Sequence, residues 1–326
     1  MTTYEIVGIG NAIVDVISHA DDSFLDLMGI EKGIMQLVER ERAEVLYAAM
    51  QDRTQAPGGS VANTLAGIGA MGVSTAFIGR VRDDALGRFY AQAMEQAGTA
   101  FVNPPLPGDV PTSRSMIFVS PDGERSMNTY LGFGADLDAG DVPDAVARGA
   151  QLLFLEGYLY DKPGGKAAFE QAARLCHEGG GIAGISLSDP FCVDRHRADF
   201  QALVAQLDFV IGNVHEWESL YESDIDTALD RAAAATGVVV CTRSGEDVLL
   251  RRGDETAIAP VTRVTPVDAT GAGDQFAAGF LFGLSQGRDL LTCGRMGNLA
   301  AAEVIRHIGA RPQSDMRAVF ETAGLL

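Results

Sequence analysis

Asp268-Ala269-Thr270-Gly271-Ala272-Gly273-Asp274 stands directly before the apolar run Gln275–Ser285, whose small and aromatic residues predict a buried helix. Residues without bulky side chains at a helix start let the first backbone N–H groups close on an anion, and the helix dipole adds partial positive charge there. Gly271, Ala272 and Gly273 therefore read as a cradle for a phosphoryl group whose charge shifts during transfer. Asp274, kept ionised by the same helix end, is placed to accept a proton from an attacking hydroxyl. A plain helix cap with an acidic first turn has the same local pattern, so the meaning of this stretch depends on the rest of the chain.

Upstream, Ala56-Pro57-Gly58-Gly59-Ser60-Val61-Ala62-Asn63-Thr64 forms a tight Gly-Gly turn leading into a second apolar helix. Gly59 lets backbone approach a ligand, and Asn63 carries both a donor and an acceptor suited to a pair of sugar hydroxyls. Asn11 and Asp15, after the first apolar run, complete a polar set suited to a diol. The whole stretch 54–79 is uncharged and long enough to invite a membrane-span reading, but its six glycines, Pro57 and Asn63 make it a ligand-binding turn plus buried helix.

Around these two turns, short β-rich runs alternate with helical patterns, as βαβ units on a parallel sheet require. Strands are predicted at Tyr4–Gly10, Ser74–Val81, Leu152–Glu156, Ile182–Ser188, Phe209–Gly212, Val238–Thr242 and Val248–Arg252. Several are continuously apolar, as strands buried on both faces should be. Helices are predicted at Arg40–Gln51, Ala85–Gln96, Lys166–His177, Ile225–Thr236, Gly273–Ser285 and Leu290–His307, the last stopped by Gly309 and Pro312. Two stretches break the rhythm and read as antiparallel strands of a small sheet: Ile13–Val38, and Pro111–Leu131 with a turn at Pro121-Asp122-Gly123. The expected organisation is a main α/β domain of residues 1–12, 39–110 and 132–326 with a discontinuous β lid of residues 13–38 and 111–131.

Composition removes other classes. The 326 residues carry 25 basic and 44 acidic side chains, a net charge of −19, with no basic run to neutralise nucleic-acid phosphates. The four cysteines, Cys176, Cys192, Cys241 and Cys293, form no C-x-x-C pair, and the N-terminus Met1-Thr2-Thr3-Tyr4-Glu5 lacks a signal-peptide n-region, so a cytoplasmic location with reduced thiols is expected. The phosphate-loop pattern fails because Gly165-Lys166 is followed by Ala167. Gly67, Gly69 and Gly72 match G-x-G-x-x-G but close a helix, the reverse of the dinucleotide-binding order.

The segments Asp268–Asp274 and Gly58–Asn63, with Gly8-Ile9-Gly10-Asn11 and Asp15, Asn213-Val214-His215-Glu216 and Thr242-Arg243-Ser244-Gly245, resemble the signatures of the PfkB/ribokinase family of carbohydrate and nucleoside kinases. Gly-Gly-Ser at the turn, and Gly123-Glu124-Arg125-Ser126 followed by Tyr130-Leu131-Gly132, are most similar to the adenosine kinase branch, although Ala269 departs from the usual Asp-Thr-x-Gly-Ala-Gly-Asp. The resemblance implies a three-layer α/β/α ribokinase-like main domain with a mostly parallel sheet, a β lid, ATP and Mg²⁺ as cofactors, and a nucleoside or sugar acceptor. It implies acceptor contacts at Asn11, Asp15, Gly58, Gly59, Ser60 and Asn63, walls at Ile13, Leu37 and Tyr158, and nucleotide contacts at Asn213, Thr242, Gly245 and Asn298. Glu216 would hold magnesium through water. With Lys32, Lys162 and Lys166 outside every motif, Arg125 in the lid is the expected partner for the transferred charge. A K⁺ site beside Asp268, and monomer or homodimer, are left open. A sugar kinase acting on ribose or fructose, and a nucleotide-binding oxidoreductase or silent ligand-binding relative, are the alternative readings.

Overall fold

The computed structural model describes residues 3–326, so Met1 and Thr2 of the N-terminal reading lie outside the described residues. In chain order the strands are β1 (Ile6–Ile9), β2 (Val14–His19), β3 (Met35–Leu37), β4 (Thr54–Pro57), β5 (Thr75–Ile78), β6 (Thr99–Phe101), β7 (Arg114–Val119), β8 (Arg125–Tyr130), β9 (Leu152–Glu156), β10 (Ile182–Ser186), β11 (Phe209–Asn213), β12 (Val238–Arg243), β13 (Glu246–Arg252) and β14 (Glu255–Ala259). The helices are α1 (Asp22–Met28), α2 (Arg40–Ala49), α3 (Ser60–Ala70), α4 (Ala85–Gln96), α5 (Asp144–Gly149), α6 (Pro163–Glu178), α7 (Pro190–Arg195), α8 (Arg197–Val204), α9 (Val214–Tyr221), α10 (Ile225–Ala235), α11 (Ala272–Ser285), α12 (Leu290–Val304) and α13 (Met316–Thr322).

Nine strands form the main sheet in the order β14-β13-β12-β11-β10-β9-β1-β5-β6, parallel from β12 to β6 and antiparallel at β12-β13-β14. Its parallel strands are buried on both faces because successive residues point to opposite sides. Ile6, Leu152 and Phe154 join one apolar layer with α3, α4, α11, α12 and α13. Val7, Ile9, Leu153 and Leu155 join the other with α6 to α10. Helix α11 is apolar all round, so it lies inside its layer, buried from Gln275 to Gly283.

The chain leaves β1 toward β5 and β6 on one side, and runs from β9 through β10, β11 and β12 on the other. The order therefore reverses between β1 and β9, and a crevice opens beyond the carboxyl ends of these two strands. Asn11 and Glu156 stand there, one just past β1 and the other ending β9.

The second sheet has the order β3-β8-β7-β2-β4. The β7-β8 hairpin turns where expected, with the Gly123 amide donating to the Ser120 carbonyl at 2.8 Å. The rest of the lid corrects the sequence reading in three respects. Ile13–Val38 is not all strand: α1 interrupts it, capped by Asp21, which accepts from the Phe24 amide, and ended by left-handed Gly29. Seven residues give two turns, too few for an apolar period to show in the sequence. The sheet is mixed, since β2-β7 and β3-β8 pair in parallel. Thr54–Pro57, assigned above to the main domain, is an edge strand of the lid, antiparallel to β2; Pro57 at its end fits an edge position.

Because side chains alternate across β2, Val14 and Val16 are buried in a layer containing Leu25, Leu46 and Phe118, while Asp15 falls on the opposite face with its cross-strand neighbours Ser115 and Ala56. The second sheet thus shares the apolar layer that backs one face of the main sheet and presents a carboxylate from its other face.

Candidate active site

The two glycine-containing turns separated by more than 200 residues meet, because α3 and α11 begin side by side. Gly59 caps α3 at φ +96° and Gly271 caps α11 at φ +81°, both left-handed-side conformations that a side chain strains. A Cβ on Gly271 would stand 2.6 Å from the Ala310 backbone. From the first turn of α3, the Ser60 hydroxyl donates to Asp274 Oδ1 at 2.7 Å and Asn63 Nδ2 donates to Oδ2 at 3.1 Å. The Thr64 hydroxyl donates to the Asp274 carbonyl at 3.0 Å. Ser60 and Asn63, expected against the acceptor, thus have Asp274 as their direct partner. Burial pushes the Asp274 carboxyl up to about 6 despite those two donors and the Arg311 charge.

Asp15 reaches the same place from the lid. Its carboxyl is likewise pushed up to about 6 by burial, which outweighs the attraction of Arg125 and Arg311, and Asp274 adds repulsion. Gly58 passes so close that a Cβ there would lie 2.8 Å from the Asp15 carboxyl. Arg125, also from the lid, pairs with Asp268 Oδ2 at 2.9 Å, and Asp268 additionally accepts from the amides of Thr270 at 2.9 Å and Gly309 at 3.1 Å. Asp268 therefore fixes the loop that carries Gly271, Ala272 and Gly273 and joins it to the lid.

Two clefts adjoin at Gly59, Ser60 and Tyr158. One, of about 390 Å³, is lined by Asn11, Ile13, Leu37, Tyr158 and Glu156, together with Met35, Leu131 and Phe191. The expected walls Ile13, Leu37 and Tyr158 are thus brought together. The other, of about 330 Å³, is lined by Asn63, Ser186, Ser188, Asn213, Glu216, Thr242, Gly273 and Asp274. Gly245 lies in the exposed β12-β13 turn and lines neither. Asn298 is buried on α12, where its amide donates to the carbonyls of Ala259 at 3.2 Å and Pro260 at 2.9 Å and so ties down the end of β14.

Asn213 and Glu216 form a reciprocal cap on α9. The Glu216 amide donates to Asn213 Oδ1 at 3.0 Å, and Glu216 accepts from the Asn213 amide and side chain at 2.8 and 2.7 Å. Glu216 is 5 % exposed, and burial pushes its carboxyl up to about 7. Glu216 and Asp274 are the two carboxyl groups that line the second cleft, hard oxygen donors of the kind that suit magnesium directly or through its water shell.

Two residues were missed by the sequence reading. Glu156, 1 % exposed, accepts from Asn11 Nδ2 at 2.6 Å, from the Asn11 amide at 3.1 Å and from the Val61 amide at 3.2 Å; burial pushes it up to about 7. Its signal was a lone acid ending the apolar run Leu152–Leu155. Glu156→Ala leaves three buried donors unpaired, at about 1–3 kcal/mol each, so a loss of at least about 3 kcal/mol in urea unfolding is expected; a loss under about 1 kcal/mol contradicts this structural role. Arg311, between the stop residues Gly309 and Pro312, drew no reading of its own; its Nε donates to Asn63 Oδ1 at 3.2 Å.

The pfkB family carbohydrate kinase model matches residues 26–316. An adenosine kinase from Sinorhizobium meliloti superposes with a TM-score of 0.90 at 44% identity, covering 99% of this chain and all of its own. A probable sugar kinase from Rhizobium etli superposes with a TM-score of 0.91 at 42% identity, covering both chains in full. An uncharacterized sugar kinase of Archaeoglobus fulgidus is 30% identical over 249 residues, 75% of this chain and 96% of its own. No helix among the described residues is long and apolar enough to cross a membrane. With Asp274 at the start of α11, the two clefts beside it and a family match over most of its length, this chain is a kinase of the pfkB family.

Proposed function

We propose that the protein phosphorylates the primary hydroxyl of an adenosine-like nucleoside with ATP. The observation that carries this reading is the acceptor cleft. Its outer walls are Ile13, Met35, Leu37, Leu131, Tyr158 and Phe191, an apolar and aromatic slot suited to a planar base. Asn11 lines this cleft, and Asp15, packed against Gly58 beside Gly59 of the cleft wall, would offer its carboxylate to the ribose hydroxyls. The similarity to an adenosine kinase at 44% identity supports the same acceptor. The similarity to a probable sugar kinase favours the second reading, a free sugar as acceptor on the same catalytic residues.

In this mechanism the acceptor hydroxyl gives its proton to the Asp274 carboxylate as its oxygen bonds to the γ-phosphorus. The bond from that phosphorus to the bridging oxygen breaks and ADP leaves. The amides at Gly271, Ala272 and Gly273, at the positive end of α11, face the charge on the transferred group. Magnesium, when bound, neutralises phosphate charge on the Asn213 and Glu216 side of the donor cleft. Thr242, with Asn213, borders the nucleotide. Arg125 holds the second sheet to Asp268 and favours the charged form of Asp15, the carboxylate that would meet the acceptor.

The test is phosphoryl transfer from γ-labelled Mg-ATP to adenosine, inosine, guanosine, ribose and fructose. Adenosine is expected to give the highest kcat/KM. Transfer confined to a free sugar replaces the acceptor and keeps the catalytic residues, whereas transfer to none of the five defeats the reading.

A further inference from the structure

Arg311 follows α12 in the segment Gly309-Ala310-Arg311-Pro312, outside every motif that led to the site. Its guanidinium donates from Nε to Asn63 Oδ1 at 3.2 Å, and one terminal nitrogen lies 3.5 Å from Met94 Sδ. Among the described residues it makes no ion pair. A guanidinium has donors only, so the Asn63 oxygen must be the end that faces it, and the Asn63 nitrogen is the end left for Asp274 Oδ2, 3.1 Å away. The carrier of this contact is fixed as well: Gln275 Nε2 donates to the carbonyls of both Ala310 and Asn63 at 3.0 Å each, tying the segment and α3 to α11.

We propose that Arg311 is a positioning residue for phosphoryl transfer: it sets the Asn63 amide so that only an N–H meets Asp274, and its unpaired charge keeps Asp274 ionised beside Asp15. This inference rests on Asp274 being the base.

The groups around Asp274 make that charge necessary. Asp15 approaches from β2, Glu156 from β9, Glu216 from α9 across the donor cleft, and Tyr158 from the turn after β9; each is negatively charged when ionised. Tyr90 on α4 lies beside Arg311, while Ser60 and Asn63 are neutral donors. Arg125 acts on Asp15 and is itself paired with Asp268. Arg311 is the cation that acts on Asp15 and Asp274 together, lowering both. Without it, Asp274 has only the neutral donors Ser60 and Asn63 in support while Asp15 keeps Arg125, and a proton binds more readily to Asp274.

The experiment is the pH dependence of kcat and of kcat/KM for adenosine in the wild type, Arg311→Gln and Arg311→Lys, with thermal melting of each. Arg311→Gln is expected to move the acid limb up by about one pH unit, with a rate loss of about fivefold at the wild-type limb, approaching about tenfold below it and largely recovering above it, and with KM for ATP unchanged. Arg311→Lys keeps the charge and is expected to hold the limb within about half a unit of the wild type. An unmoved limb in folded Arg311→Gln overturns the proposal. So does an equal rate loss at every pH in both variants, which is the signature of a disturbed fold. Full activity of Asp274→Asn overturns the base assignment and this inference with it, a failure separate from an unmoved Arg311→Gln limb.

Discussion

Replacing Asp274 with asparagine is expected to lower kcat by about 10²–10⁴-fold while leaving ATP binding within about threefold. Asparagine keeps the size and can still accept from Ser60 or Asn63, so the variant removes the proton acceptor and little else. The pH profile gives the same residue a second test. Asp274 is pushed up to about 6, so the fraction of enzyme with an ionised base falls as pH drops through that value. In the wild type kcat/KM should therefore decline below about pH 6, and more steeply than a single titration allows, because Asp15 is also pushed up to about 6 and the two groups repel each other. Rates of the asparagine variant measured with nucleoside and ATP saturating decide the matter; activity within tenfold of the wild type would mean that Asp274 is only the first-turn acid of a helix.

Asp15→Ala carries the second large effect, and it falls on the acceptor. A carboxylate that accepts two ribose hydroxyls contributes about 1.5–3 kcal/mol for each charge-assisted bond, so kcat/KM for the nucleoside should fall by about 10²–10⁴-fold with KM for ATP little changed. The same residue makes a stability prediction of opposite sense. Its folded pKa lies above the unfolded value of 3.8, at about 6, so the ionised form opposes folding; this cost is absent below about pH 4 and complete above about pH 6. Asp15→Asn should then melt at a higher temperature than the wild type at pH 8, with the gap closing toward pH 4. A variant that binds nucleoside as before, or melts lower at pH 8, contradicts the placement of Asp15 as a buried charge kept for a ligand.

Much of the main domain was legible because its signals are local. Ala85–Gln96 appears with the bounds its apolar spacing predicts, and Leu152–Glu156 likewise. The lid was harder to read. Its seven-residue helix Asp22–Met28 is too short to declare a period, and its parallel pairings β2-β7 and β3-β8 join segments about 90 to 100 residues apart, a distance at which no turn residue announces the partner. Thr54–Pro57 was drawn into the glycine turn beside it, because an exposed edge strand has no apolar alternation to mark it.

The site divides in the same way. Helix-start geometry is written in consecutive residues, so Gly271, Gly273 and Asp274, like Gly59 and Ser60, could be picked out from the chain alone. Their chemistry could also be named from residue types: small residues for an anion, an acid for a proton. What the sequence by itself determined is therefore the position of the two turns and, through their resemblance to the family signatures, the kinase class. The tertiary structure alone decided the partners. It set Ser60 and Asn63 on Asp274, placed Glu156 under Asn11, and brought Arg311 from 248 residues away onto Asn63. The reason is physical: a helix cap is fixed by bonds within one turn of chain, whereas the charge state of a buried carboxylate is fixed by whatever the fold packs around it.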